Sequence, residues 1–493
     1  MIESAGHRLL ADAMKLTRLL GHTQREQRAN LARLYYWGRQ YDHLPAWETQ
    51  GVPLRDKAPA VRLRINKTAV DTINAHLFGS RRQPSFRAEG NPEMSKVLQD
   101  LIMRTRLMTH LVPLGRTGCL TGTAVIAFDV VEGQLDWQVI PGARCTPKFG
   151  RDDRALSISR GIAMDDLLEL DEVWRTYSEN ELGQVTETWH RRTRTLDDTI
   201  EYMPIPGPLH RAEQLNWRVD AAASVTHSLG FVCAEWVRNL PVVDDIDGAP
   251  IVDLPEFDLE DEINYTLSQT GRGIRYNQEP TLALFNVDTS ATEVIVRGSH
   301  HTLDLKSARH VEGAMPSAEL LEMEGGGSSA ALEYTRRLTD YFHQTARVVI
   351  HDPERAGGVL SGVALQRIKE PMLDLLDEMR PEYEFALTRV LGKAMRATER
   401  TAGDVLVAAA WPEVIKPTYD DALTLVMMLR QAREEGLLTR RTAVEQLKPF
   451  VGIDDVDKYM RELAEETVSS GTGSLGGEAR TQAEQAAAEL EGL

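Results

Sequence analysis

The longest helical periodicity in the chain lies within residues 361–410. Leu365, Ile368, Met372, Leu375, Leu376, Met379, Tyr383, Ala386 and Val390 recur mostly at steps of three or four, which predicts one apolar helix face. Ser361-Gly362 stands where a hydroxyl caps the free amides of a first turn. Pro371 and Pro381 each remove an amide donor and press on the preceding turn, so the pattern predicts one kinked helix or joined pieces. A short loop, residues 351–360, feeds it and carries Asp352, Glu354, Arg355, Gly357 and Gly358.

Earlier in the chain, apolar spacing predicts helix over 8–40, with Gly38 as a left-handed cap. Pro45, Pro53 and Pro59 mark 41–60 as loop. A compact helix follows over 66–79, with Val70, Ile73 and Leu77 on one face, and a helix pair over 94–121. The period then changes to alternation. Residues 123–130 and 135–140 predict a hairpin, and 157–163, 185–190 and 199–203 continue an antiparallel β region over 122–240. Asp258 predicts the cap of a helix running to about Ile274, with Glu260, Asp261 and Glu262 in its first turn, where acids favour the helix dipole. A strand-rich insert (281–286, 293–297, 302–305, 318–323) separates it from a second helix. Ser328 or Ser329 caps that helix, and Tyr334, Leu338, Phe342 and Thr345 form its stripe. Beyond Trp411-Pro412 the pattern predicts helices over 420–434, from Thr439, and from Asp454 or Asp455 to Glu466. A Gly/Ser-rich and then Ala/Glu-rich tail follows. The fold class expected is α+β, mainly helical.

At 493 residues the chain exceeds one ordinary core. Its net charge of −18 argues against wrapping nucleic acid on a general basic surface, yet it is compatible with DNA passing close by without adhering. Cys119, Cys145 and Cys233 are scattered, which argues against a disulfide framework or a zinc site and fits a reducing compartment. His7, Arg8, Lys15 and Arg18 interrupt the first twenty residues, so no signal peptide is expected. No apolar run is long enough for a membrane span.

Catalytic and cofactor motifs are not found. Gly115 to Thr123 hints at a phosphate loop, but it lacks the lysine and precedes a strand, so a plain turn is expected. Asp244-Asp245-Ile246-Asp247-Gly248 resembles a calcium loop whose glycine falls too early. His300-His301 has no third ligand nearby. No enzyme, no cofactor and no metal are expected. Basic residues do gather in or beside the β insert: Arg272, Arg275, Arg297, His300, His301, Arg309 and His310. They suit a solvated face, or a docking surface for an acidic partner.

Several short motifs in order resemble the portal proteins of tailed bacteriophages, of the group similar to the Bacillus siphophage portals. They are Tyr35-Tyr36-Trp37-Gly38; Asn66, Val70, Asp71 and Gly79 on one helix; Gly122-Thr123-Ala124 before a hairpin and Pro141; Pro241-Val242-Val243 with Asp258-Leu259-Glu260; Ser361-Gly362-Val363-Ala364-Leu365; and Trp411, Asp420-Asp421, Gly436-Leu437-Leu438-Thr439 and the helix ending at Glu466. The resemblance covers roughly residues 25–466. It implies a ring subunit with wing (1–253 and a long kinked helix 361–410), stem helices (254–275 and 328–350), clip (276–327), tunnel loop (351–360), crown (411–466) and tail (467–493). The ring, usually of twelve copies, would occupy one capsid vertex of the virion after assembly in the host cytoplasm, without a membrane. It would pass double-stranded DNA during packaging and ejection. Its partners would be the major capsid protein, scaffolding protein, the terminase large subunit and a head–tail adaptor. The residues implied are Asp352, Glu354, Arg355, Gly357 and Gly358 in the tunnel loop; Arg297, His300, His301, Arg309 and His310 on the clip; and Arg272, Arg275, Arg336 and Arg337 on the stem. Another head–tail or minor head protein, or a DNA-processing packaging enzyme, are the competing expectations.

Overall fold

The computed structural model describes residues 23–53, 56–131, 134–179, 185–206, 216–278, 281–286, 317–321, 326–350, 362–399, 405–412, 419–451 and 459–463. They fall into two compact units, residues 1–351 with 371–412, and residues 352–370 with 413–493.

In the first unit, helix α1 (Gln24–Trp37) begins where the Thr23 hydroxyl accepts from the Glu26 amide. It ends at Gly38, whose φ of 70° is the expected left-handed cap. Residues 8–22 of the expected helix lie outside the described residues. Helix α2 (Ile65–Phe78) buries Val70, Ile73, Leu77 and Phe78 completely. Strand β1 (Ser85–Ala88) and helices α3 (Pro92–Arg104) and α4 (Leu107–Thr121) follow. Asn91 caps α3 through the Glu93 and Met94 amides.

The β region is two sheets, not one continuous meander. The first has the order β10-β2-β3, from β2 (Thr123–Val131), β3 (Gln134–Pro141) and β10 (Ala234–Arg238), with Val125 opposite both Trp236 and Ile140. The second runs β4-β5-β6-β7-β9 with β8 beside β6. Its strands are β4 (Cys145–Phe149), β5 (Leu167–Glu179), β6 (Val185–Thr195), β7 (Asp198–Glu201), β8 (Ile205–Pro206) and β9 (Val225–Thr226). Val125, Ala127, Ile140, Val232, Ala234 and Trp236 share one core with Cys145, Phe149, Leu168, Leu170 and Leu196. Residues 157–163, expected as a strand, instead contain helix α5 (Arg154–Arg160). Two local devices decide this. The Asp153 carboxylate caps the Leu156 amide, and Gly161 closes the turn at φ 68°.

Arg194 is completely buried between the sheets. It lies 3.4 Å from Glu172, 3.5 Å from Asp129 and 3.0 Å from the Gln138 amide oxygen. Arg192 also donates to Asp129, Gln138 and Glu201. A buried guanidinium is tolerable only when its charge is met, and here carboxylates of both sheets meet it through Nη1 and Nη2, leaving Nε without a partner.

Later in this unit come helix α6 (Leu254–Gln278), strands β11 (Thr281–Phe285) and β12 (Ser317–Leu321), and helix α7 (Gly326–Thr345). Helix α8 (Gly362–Glu399) runs unbroken through Pro371 and Pro381 as a single helix. Met372, Leu375, Leu376, Met379, Tyr383, Ala386, Leu387, Val390, Leu391, Ala394 and Met395 are each at most 2% exposed. The expected face is therefore real from Met372 to Val390, but Ile368 is 47% exposed and does not belong to it, and the side chain of Leu365 lies outside the described residues. Nor does the helix reach 410. Strand β13 (Val407–Ala410) folds back and pairs with β1, Phe86 opposite Ala409.

Ion pairs clamp α8 to the first sheet. Glu235, buried on β10, meets Arg389 at 3.2 Å and Lys393 at 2.6 Å, and Arg389 also meets Asp166. The Tyr383 hydroxyl donates to Asn239 at 3.0 Å and fills the space over Gly118, where a Cβ would stand 2.1 Å from it. In the second unit, helices α9 (Tyr419–Glu434) and α10 (Arg440–Val451) are separated by Gly436 at φ 75°. The Thr439 hydroxyl caps the Thr442 amide, as expected. Residues 459–463 are helical, and 454–458 and 464–466 of the expected last helix lie outside the described residues.

Candidate functional site: the helix pair and its root

The β11–β12 register sets Thr281 opposite Leu321, so the end of α6 lies beside the start of α7 and the two helices run antiparallel. They pack along their length, and the Tyr334 hydroxyl of α7 bonds the Glu262 carboxylate of α6. The pair is thus a two-helix shaft with a β hairpin element at its tip. Both helices begin earlier than the sequence suggested. Asp258 is not the cap of α6. The helix starts at Leu254, with Asp253 before it, whose amide donates to Glu256. Ser328 and Ser329 lie inside α7 rather than at its cap. On α7 the buried stripe is Thr335, Leu338 and Phe342, whereas Tyr334 and Thr345 face out.

The early start carries a chemical consequence. Glu260 and Asp261, expected in an exposed first turn, sit in the second turn and are 0% and 1% exposed. Glu260 accepts from the Asn66 backbone amide at 2.8 Å, the Asn66 side chain at 2.7 Å and the Gln40 side chain at 3.0 Å. Asp261 accepts from the Tyr35 and Tyr41 hydroxyls at 2.8 and 2.5 Å. Tyr35 stacks on Phe257 with ring centroids 4.3 Å apart. One turn on, Asn264 bonds Tyr41 and both backbone groups of Leu63, Tyr265 donates to the Lys57 carbonyl, and Ser268 accepts from the Val61 amide. Every donor to the two carboxylates is neutral. Burial therefore dominates, and it pushes Glu260 and Asp261 each up to about 7 against the opposing hydrogen bonds. Asp258 adds to the rise of Asp261, and Asp261 to that of Glu260. Burial and the adjacent Asp261 hold the Tyr35 and Tyr41 phenols protonated.

Several sequence-flagged residues therefore converge here. Tyr35 and Asn66 both hold the root of α6. Tyr36 donates to Asp71, which also pairs with Lys67 and Arg116. Val70 is fully buried. Gly79 closes α2 in an extended conformation, not a left-handed one. Gln40, Tyr41 and Asn264 were missed. They lie in a proline-rich loop or read as ordinary helix polar positions, and only their burial gives them away.

Of the stem arginines, Arg272, Arg275, Arg336 and Arg337 all lie on exposed positions of α6 and α7, and Arg337 pairs with Glu333 one turn earlier. Asp352, Glu354, Arg355, Gly357 and Gly358 lie outside the described residues, as do Arg297, His300, His301, Arg309 and His310. The hinted phosphate loop is the end of α4 and its turn. Gly122 there has φ 81°, and a Cβ on it would meet the Gly248 carbonyl at 2.1 Å. The acidic loop 244–248 is held by a side chain: Arg25 clasps Asp247 and donates to the Cys145 and Gly142 carbonyls. Among the described residues no group of three metal-ligating side chains occurs, and no helix is long and apolar enough to cross a membrane. Cys119, Cys145 and Cys233 are free and buried.

No protein-family model matches the sequence, and no curated protein matches it. Among solved structures, the chain is similar to a chain in the virion of a native gene transfer agent particle, with 11% identity and a TM-score of 0.38 over 79% of this chain and 89% of that one. It is similar also to a chain in the neck of the native particle computed with C12 symmetry (9% identity, TM-score 0.42, 78% of this chain and 89% of that one). A chain in the neck of the empty particle computed with C6 symmetry gives 9% identity and a TM-score of 0.45 over the same shares.

Proposed function

We propose that the chain is a portal subunit: a structural, non-enzymatic protein that closes into a ring of twelve at one capsid vertex and conducts double-stranded DNA. The observation that carries this reading is the unit α6–hairpin–α7 followed at once by the segment 351–360 and the long helix α8. A shaft of two antiparallel helices tipped by a β element suits a channel wall. A body clamped by α8 suits the ring's outer mass. The ordered sequence motifs support the same reading, since Tyr35, Asn66 and the acids after Asp258 meet at the shaft's root. In this reading the tip carrying Arg297, His300, His301, Arg309 and His310 docks the terminase and later the head–tail adaptor. The body meets capsid and scaffolding protein during assembly in the host cytoplasm. Residues 352–358 face the passing DNA, and Arg272, Arg275, Arg336 and Arg337 mark the shaft surface.

The test is deletion of residues 352–360 in the full chain, with ring formation and DNA packaging scored separately. Rings that assemble but package or retain DNA poorly are the expected result. Loss of the ring itself refutes the assignment of that loop.

A further inference from the structure

Two adjacent carboxylates at the root of α6 are buried with no cation bonded to either. The two side-chain amides that serve Glu260 add a second observation. Gln40 is 4% exposed and Asn66 is 1% exposed, and each uses only its nitrogen. Their carbonyl oxygens, Gln40 Oε1 and Asn66 Oδ1, are buried without a partner. An orphaned buried acceptor is costly, and natural proteins seldom leave two beside one acid. Each amide can turn over, exchanging oxygen for nitrogen in nearly the same volume.

We propose that Glu260 is a reversible proton site that is hydrogen-bonded in both of its states. Ionised, it accepts from the Gln40 and Asn66 amides. Protonated, it donates to the Gln40 carbonyl oxygen after that amide turns over. The carboxyl oxygen facing Gln40 is the one that takes the proton, because it has that single donor, whereas its twin accepts from both Asn66 groups. Uptake relieves a buried negative charge and gives the orphan Gln40 oxygen a partner, while the Gln40 nitrogen gives up its bond to the carboxylate. Each Asp261 oxygen accepts from a phenol rather than an amide, so the sites are coupled but not equivalent.

The surroundings fit. On α6 itself the facing groups are Glu256, Asp258, Asp261 and Tyr265. From α1 and the turn after it come Tyr35 and Tyr41. From the 42–64 loop come Asp56 near Tyr265, and Arg62, which lies over the Tyr41 ring and pairs with Asp42. From α2 comes Asn66, while its neighbour Lys67 turns away to Asp71. Arg62 thus touches a phenol and not the carboxylates, and the buried Lys57 meets α6 through its carbonyl, which accepts from Tyr265. Burial raises the proton affinity of both acids in support. The device holds residues 40 and 66 to the base of the helix pair, whether the chain is alone or in a ring.

The test is infrared spectroscopy of the full chain between pH 8 and pH 5.5, following the carbonyl band of a protonated carboxylic acid. A buried-acid band that grows on acidification, loses one component in Glu260→Gln and retains that component in Asp261→Asn is expected. A band lost in Asp261→Asn but kept in Glu260→Gln overturns the assignment to Glu260, and no such band in the parent chain overturns the site altogether. Gln40→Leu removes the hydrogen bond that opposes protonation and is expected to raise the midpoint of the band's growth, with an unchanged midpoint counting against Gln40 as the partner of the site. Replacement of the pH response by a response to added sodium or calcium identifies a cation site instead and also refutes the proposal.

Discussion

Helix α8 and helix α7 are both amphipathic, but they dispose of their apolar residues differently. On α8, eleven apolar side chains between Met372 and Met395 vanish into the body of one chain. On α7, Leu338 and Phe342 are buried against the body or α6, whereas Leu332, Tyr334 and Tyr341 are 46–56% exposed. Ile274 on α6 is 39% exposed as well. The body too leaves single large apolar groups exposed, Met103, Ile158 and Leu406 among them. The helix pair keeps several such groups exposed along one short stretch, and in the proposed ring a second copy would cover them. The contrast is therefore between a helix whose apolar face is buried within one chain and a pair that leaves apolar surface for the proposed ring to cover.

The comparison can be broken first in the body. Arg194→Leu leaves Glu172 buried without its cation, and the expected loss is about 3–5 kcal/mol of stability by chemical denaturation. Leu391→Ala opens a cavity under α8 and is expected to cost about 2–5 kcal/mol. Gly118→Ala drives a methyl into the Tyr383 hydroxyl and is expected to cost about 1–3 kcal/mol. On the helix pair the order inverts. Tyr334→Ser with Tyr341→Ser is expected to change monomer stability by no more than about 0.5 kcal/mol each, as exposed sites do. The same pair of changes is expected to weaken ring assembly, read by sedimentation. A large stability loss without an assembly defect would erase the contrast.

A pH titration sharpens it further. Glu260 and Asp261 hold protons more tightly folded than unfolded, since both rise to about 7 from ordinary carboxylate values. Their contribution is fully present below the unfolded pKa of about 4 and is lost as pH rises through 7. The melting temperature is accordingly expected to fall between pH 5.5 and pH 8. Glu260→Gln is expected to flatten that slope, and an unchanged slope would place the titration elsewhere.

Much of the body was legible because local chemistry and tertiary fate agreed. Gly38, Asn91 and Thr439 act where caps were expected or suit their ends, and the α8 face reads directly as period 3.6. Strand β5 was missed for a physical reason. Glu172 sits at an inward position to meet Arg194, so the alternation of apolar and polar residues fails where the two sheets are joined. The 157–163 segment misled because Ile158 and Ile162 alternate with polar residues, while Asp153 and Gly161 decide for helix. At the root, acids near a helix start read as dipole partners. Their burial depends on residues some two hundred positions away, Tyr35, Gln40, Tyr41 and Asn66, which no local pattern reveals.

The claim on which the rest depends is that this chain closes around a channel. Averaged electron micrographs of the purified full chain test it most directly. The account predicts end views with a stain-filled centre and twelvefold rotational symmetry. A protein that stays monomeric across concentration and salt, with no annular particles, would contradict it.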